Sequence, residues 1–341
     1  TKNNELYGGN IGSDGIVNIS GGVIADGKVA LSYTSSTSSR ILYLYGGNIA
    51  VRSGGALNIS GGIISGGTAT GTRTNESTTS KSYGRGGNIY VSGANATITG
   101  GITTADRGAN LYTTNGLIVI DNGKVTNGIN RDGDACRGGN VCLYDPNALL
   151  IMKGSDAKIT GGMADGPNAY GGNIYCGSGA DIVIYDGEIS GGYAARNGAN
   201  IELMNGSGET TRGLHYMYGG TIGDVHPDTP AGVSNFVVYG SSYINDFYVF
   251  GGHIQSMDDN GTNNEVKIYG GTFGFDPRTA DNNVSSNLGQ CACVTYDEAT
   301  GIYTVVHTAG TGTCDICAAH DNGPEEYTVT YANTGSHSLE E

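Results

Sequence analysis

The sequence predicts an all-β fold: a right-handed parallel β-helix, a solenoid of about 9–10 three-strand coils closed by a small C-terminal β cap. Three observations point there. Gly-Gly-Asn followed by an aliphatic residue recurs at 8–11, 46–49, 86–89, 138–141 and 171–174, with degenerate copies at 108–111, 198–201 and 234–236. A second motif follows within the intervals, an aliphatic strand end, a glycine corner and a new aliphatic start, as in Ile19-Ser20-Gly21-Gly22-Val23-Ile24 and Ile59-Ser60-Gly61-Gly62-Ile63-Ile64. Between corners, apolar residues alternate with period two over runs too short for helices.

Each Gly-Gly-Asn is a corner. Glycine reaches positive φ without a Cβ clash. Asparagine tolerates the left-handed region and carries both a donor and an acceptor. Asn10, Asn48, Asn88, Asn110, Asn140, Asn173, Asn200 and Asn235 are therefore expected to stack as an amide ladder along the solenoid axis. The interval from Asn88 to Asn110 is the shortest and defines the bare coil; the excess elsewhere is insertion.

Two inward stacks follow from the alternation: Ile11, Ile49, Ile89, Leu111, Val141, Ile174, Ile201 and Phe236, then Ile19, Ile59, Ile98, Ile120, Ile184, Met217, Val249 and Ile268. Residues 149–163 break the pattern by a short insertion. The longest insertions, 29–44 and 68–85, stand before a Gly-Gly-Asn and are rich in Ser and Thr. They are expected to project together from one edge, where solenoids often bind partners.

The repeat ends at Phe273. The expected organisation is a β-helix over 1–273, a cap with a cysteine cluster over 274–319, and over 320–341 a linker with the start of a further module at Tyr327-Thr328-Val329-Thr330-Tyr331. The chain reads as a piece of something longer.

Composition narrows the function classes. Among 341 residues, 17 Lys plus Arg face 32 Asp plus Glu, a formal net charge of -15. That argues against nucleic acid, which needs basic stripes to displace counterions, and against anionic membrane surfaces. No apolar run approaches membrane-spanning length. Of seven cysteines, Cys176 is assigned inward, Cys136 and Cys142 flank one corner, and Cys291, Cys293, Cys314 and Cys317 follow the repeats. Three disulfides plus one buried thiol would suit an oxidising, extracellular setting. A structural zinc at the late cluster, with His320, is the rival reading.

The Gly-Gly-Asn coils, the exit Gly270-Gly271-Thr272-Phe273-Gly274-Phe275-Asp276-Pro277 and the late Gly301-Ile302-Tyr303-Thr304-Val305 resemble β-helix regions of large bacterial surface proteins, in the pectate-lyase-like superfamily and its adhesin-like relatives. The resemblance implies a secreted or surface-displayed protein, and its relatives include lyases, hydrolases, adhesins and stalks. The residue pattern of a pectin-type hydrolase, paired aspartates with Gly-His-Gly and Arg-x-Lys, does not occur in this sequence.

Candidate sites are few. Asp258, Asp259, Asn260 and Glu265 form a loop that could take Ca²⁺; Asp132 and Asp134 are weaker candidates of the same kind. His215, His226 and His253 read as surface residues, with His253 and Glu188 in one outward column two coils apart. Two aromatic columns are expected outward: Tyr90, Tyr112 and Tyr175, interrupted by Cys142, and Tyr185, Tyr218, Phe250 and Tyr269. Exposed aromatic stripes suit sugar rings, whereas aromatic pairs also stabilise sheets unaided. The function expected is a non-catalytic surface β-helix, adhesin-like or stalk, binding glycans or a host or partner protein through the loop edge or the Tyr columns. A polysaccharide lyase or glycoside hydrolase around Asp258, Asp259 and His253 is the alternative, and an end-to-end filament subunit the third.

Overall fold

The structure, a computed structural model, describes residues 4–33, 41–73, 81–98, 102–107, 109–131, 136–166, 168–205, 212–240, 245–260, 264–278, 288 and 292–307. Among these there are strands, turns and bends but no helix. The chain winds as a parallel β-helix with three faces. The first face stacks Ile11–Ser13, Ile49–Val51, Ile89–Ser92, Leu111–Thr114, Val141–Tyr144, Ile174–Gly177, Ile201–Asn205, Phe236–Gly240 and Met257–Asp259 in chain order. The second stacks Ile16–Ile19, Ala56–Ile59, Asn95–Ile98, Leu117–Asp121, Leu149–Lys153, Asp181–Ile184, Gly213–Met217, Asn245–Val249 and Glu265–Ile268. The third runs from Val23–Ala25 through Ile63–Arg73, Ile102–Arg107, Lys124–Thr126, Lys158–Thr160, Glu188–Ser190, Thr221–Ile222 and His253–Ile254 to Gly271–Phe273.

Register explains the core. The first predicted stack is continuous from Ile11 to Phe236 and goes on to Met257. The second is continuous from Ile19 to Ile268, with Met152 filling the place between Ile120 and Ile184. A third column, Val125, Ile159, Ile189, Ile222, Ile254 and Phe273, closes the prism. All of these side chains except the partly buried Ile11 are buried, each contributing about 1.5–3 kcal/mol by leaving water. The coil at 149–163 is not out of register: Asp145 and Gly154 carbonyls close short turns to Ala148 and Ala157 that absorb the extra residues.

The corners are built as the repeat requires. Gly46 sits at φ +64, and a Cβ there would collide with the Ile49 carbonyl oxygen. Asn10, Asn48, Asn88 and Asn110 are joined by Nδ2–Oδ1 hydrogen bonds of 2.7–2.8 Å, and Asn140, Asn173, Asn200 and Asn235 by bonds of 2.7 Å. Each buried ladder oxygen at Asn48, Asn88, Asn140, Asn173 and Asn200 also accepts a corner N–H, from Gly27, Gly67, Gly128, Gly162 and Gly192. The ladder thus satisfies backbone donors that the sharp corner removes from the sheets.

The insertions are not simply projecting loops. Asn4–Tyr7, Ile41–Tyr45 and Lys81–Arg85 pair in parallel as an additional small sheet, and Lys28–Tyr33 pairs with Ile63–Arg73. At the far end Ile302–His307 lies antiparallel on Gly271–Phe273 and on Ala292–Asp297, so a hairpin covers the last coil and buries Val305.

Cys176 points into the prism, as expected, and its thiol donates to the Ala180 carbonyl at 3.1 Å. Cys136 and Cys142 keep their thiols and form no disulfide. The reason is geometric: Cys142 faces outward between Tyr112 and Tyr175, whereas Cys136 packs with Ala164 and Ala169 and donates to the Asp165 carbonyl. Cys293 is an exposed thiol. Cys291, Cys314, Cys317, His320, Asp132 and Asp134 lie outside the described residues, as does the proposed further module.

Candidate functional site: an outward aromatic ladder

On the second face the inward positions are mostly aliphatic, so the alternate positions turn outward. In the late coils they become aromatic. Tyr216 and Tyr248 are register partners and stack at 5.4 Å between ring centroids. Two residues further along each coil, Tyr185, Tyr218, Phe250 and Tyr269 stack in file with centroids 5.1, 5.2 and 5.1 Å apart and planes within 13°. Tyr216 links the two files, 6.3 Å from Tyr218. The ring spacing is slightly above the ~4.8 Å between strands, so each ring tilts a little to meet the next.

This predicted column is accessible: Tyr185 is 37% exposed and its companions are half-buried. Facing one another, the interior rings cover each other's flat surfaces. What they present is a strip of ring edges and phenol oxygens roughly 15 Å long. Burial raises the pKa of Tyr185, Tyr216 and Tyr248, so these hydroxyls stay protonated and can donate at neutral pH. Charged pairs border the strip: Lys153 with Asp121 at 3.4 Å, and Arg212 with Glu265 at 3.2 Å and with buried Asp246. Between Leu149 and the coil after it, Asp181 is nearly buried and accepts the Leu214 N–H at 2.8 Å; burial lifts its pKa to about 7.

The other predicted column does not offer a binding face. Tyr90, Tyr112 and Tyr175 share an outward register with Cys142, as expected, but they are only 4%, 7% and 3% exposed. The small outer sheet and neighbouring corners cover them. Tyr7 and Tyr45 stack at 4.6 Å, and Tyr45 lies 4.3 Å from Tyr90. Arg85 covers Tyr112 at 5.4 Å, and Arg137 covers Tyr175 at 5.1 Å and Tyr144 at 4.9 Å. These rings form a second packed layer held by cation–π contacts. Its signal was in the sequence: the residue before each Gly-Gly-Asn is Tyr7, Tyr45, Arg85, Arg137 or Tyr170.

The loop proposed for Ca²⁺ is not drawn together around one point. Asp258 and Asp259 are consecutive on a strand and so face opposite ways. Ser234 Oγ donates to Asp258, and Asn264 Nδ2 donates to buried Asp259 at 2.8 Å. Asn260 N–H pairs with the Val238 carbonyl. Glu265 belongs to the second face, with Arg212 and Lys267. Among the described residues no group of three or more His, Cys, Asp or Glu is arranged to hold a metal. His253 sits on the third face, apart from Asp258 and Asp259, with Nδ1 3.0 Å from Thr272 Oγ1 and Nε2 3.1 Å from Gln255 Oε1. It shares its column with Glu188 through Thr221, as expected.

His215 departs from the surface reading. It points inward between Ile182 and Phe247, is 1% exposed, and burial lowers its pKa to about 4. Its Nε2 meets Asn245 Oδ1 at 3.4 Å.

Compared with protein-family models, with curated proteins and with solved structures, the chain matches none. No helix among the described residues is long and apolar enough to cross a membrane. The geometry alone therefore carries the functional reading.

Proposed function

We propose that this chain is a non-catalytic β-helical region of a large bacterial surface protein of the pectate-lyase-like superfamily, serving extracellularly as an adhesin-like module or stalk. It contacts a glycan or a partner protein through the Tyr185–Tyr218–Phe250–Tyr269 strip. The observation that supports this is the strip itself: half-exposed aromatics and protonated phenols on a rigid stacked frame, bordered by ion pairs. Aromatic bodies with polar tips bind well at low entropic cost. Edge presentation favours hydrogen bonds to hydroxyl-rich or peptide surfaces over face stacking on a sugar ring.

The test is a glycan array and a panel of purified extracellular-matrix proteins probed with the parent chain and with Tyr185→Ala/Tyr218→Ala/Tyr269→Ala. Binding that falls at least about tenfold in the triple variant, at unchanged circular dichroism, supports the reading. Binding untouched by the substitutions refutes the assignment to this strip, and indifference of the parent to every ligand leaves the chain a spacer. Incubation with acidic polysaccharides, following unsaturated products and reducing ends with and without calcium, tests the lyase or hydrolase alternative.

A further inference from the structure

The chain has 22 tyrosines and no tryptophan, so its phenols are the most easily oxidised rings it carries. Two pairs of them meet on adjacent coils of the second face without being sealed in. Tyr185 and Tyr218 lie 5.1 Å apart between centroids with planes 10° apart, and Tyr216 and Tyr248 lie 5.4 Å apart at 18°. Both pairs are aligned by the sheet. Tyr216 and Tyr248 are register partners, and Tyr185 and Tyr218 each follow directly on the partners Ile184 and Met217. All four rings reach solvent, Tyr185 most.

Taking an electron from a phenol also releases its proton, which needs an acceptor. The Tyr248 hydroxyl points to Glu265 Oε2 at 3.4 Å, a carboxylate that can take it, and water serves for Tyr185. Other close rings are sealed: Tyr45 and Tyr90 lie 4.3 Å apart but are only 5% and 4% exposed. Phe250 sets a limit within the strip. It stands between Tyr218 and Tyr269, 5.2 and 5.1 Å from them, and has no hydroxyl to lose.

We propose that Tyr185–Tyr218 and Tyr216–Tyr248 are sites of oxidative cross-linking, at which hydrogen peroxide acting through a haem peroxidase joins neighbouring coils by carbon–carbon bonds between tyrosine rings. In each pair the two phenols give up one electron and one proton apiece. The two phenoxyl radicals couple at ring carbons ortho to oxygen, and the hydrogen on each of those carbons then shifts to oxygen, restoring both phenols. One peroxide takes up the two electrons and two protons and leaves as two waters. Rotation of exposed side chains is fast and turns the ortho carbons of stacked partners toward each other. Because the strands hold each pair together, coupling within the chain outruns collision with another copy. The product is a covalent rung between coils that otherwise meet through hydrogen bonds and packing. The assignment stands whether or not the strip also binds a glycan or a protein.

The test oxidises the purified chain with hydrogen peroxide and a haem peroxidase, follows dityrosine fluorescence, which no tryptophan masks, and maps linked peptides by mass spectrometry. Tyr185–Tyr218 and Tyr216–Tyr248 links are expected within single chains, at a rate per chain independent of protein concentration, with Tyr45–Tyr90 unlinked. Tyr218→Phe/Tyr248→Phe should keep the parent's circular dichroism and lose most of the fluorescence. Phe250→Tyr adds only a hydroxyl and should bring Tyr269 into the linked set. The proposal is overturned by links that join separate chains, by fluorescence unchanged in the double variant, or by Tyr269 staying unlinked in Phe250→Tyr. A folded parent that forms no dityrosine under conditions that couple free tyrosine overturns it as well.

Discussion

Replacing Asn173 by Ala should destabilise the chain far more than its size suggests. Asn173 is fully buried. Its Oδ1 accepts from Asn140 Nδ2 at 2.7 Å and Gly162 N–H at 2.8 Å, and its Nδ2 donates to the Ser190 carbonyl at 2.8 Å and Asn200 Oδ1 at 2.7 Å. After truncation, Ser190 O still has Gly161 N–H and Asn200 Oδ1 still has Gly192 N–H. Gly162 N–H and one Asn140 amide hydrogen are left buried without partners. At about 1–3 kcal/mol for each such donor, the expected loss is about 4 kcal/mol. The chain has no Trp, so urea unfolding is followed by far-ultraviolet circular dichroism. The control is Asn58→Ala, which removes an exposed Asn–Asn bond to Asn18 and should change stability by less than about 0.5 kcal/mol. Equal effects of the two substitutions would refute the ladder's role.

Other outcomes follow from the same structure. Asp181 holds its proton in the folded chain up to about pH 7, against an ordinary 3.8, so its contribution is fully present below pH ~4 and fades as pH rises to 7. His215 acts oppositely: with its folded pKa at about 4 against 6.5, stability is lost as pH falls through that window. In Asp181→Asn the stability difference from the parent should therefore grow by about 4 kcal/mol between pH 4 and pH 7; a difference constant with pH contradicts the burial. Burial pushes the Cys142 thiol up to about 12, so mass spectrometry should find Cys293 alkylated in the folded chain and Cys142 only after unfolding. Met152→Ala should cost about 2–5 kcal/mol in urea unfolding, because Met152 lies wholly buried between Ile120 and Ile184; a surface-like loss would contradict that placement.

The ladder and the aliphatic stacks were legible because each coil repeats the same local signal, and stacking turns local similarity into register. Met152 escaped because two turns shift it within its coil. His215 was legible in retrospect: it has the same parity as Met217 on one strand, so it had to face inward. The aromatic columns show where local reading ends. Tyr90 and Tyr218 both take outward positions beside inward aliphatic residues, on the first and second faces, and only the small outer sheet of Asn4–Tyr7, Ile41–Tyr45 and Lys81–Arg85 decides that the first is covered. A bond between Cys136 and Cys142 failed for a related reason: proximity in sequence around a corner places the two on different sides of it.

Register itself is the claim beneath all of this, and cross-linking measures it directly. Lys158 and Glu188 are Cα partners on adjacent coils, with side chains meeting at 2.7 Å. Strands ~4.8 Å apart fall within the Cα separation a disulfide spans. Under mild oxidation, Lys158→Cys/Glu188→Cys should form the bond readily, as mapped by mass spectrometry, and Lys158→Cys/Ser190→Cys should not. A bond in the offset pair and none in the aligned pair would contradict the stacked parallel coil.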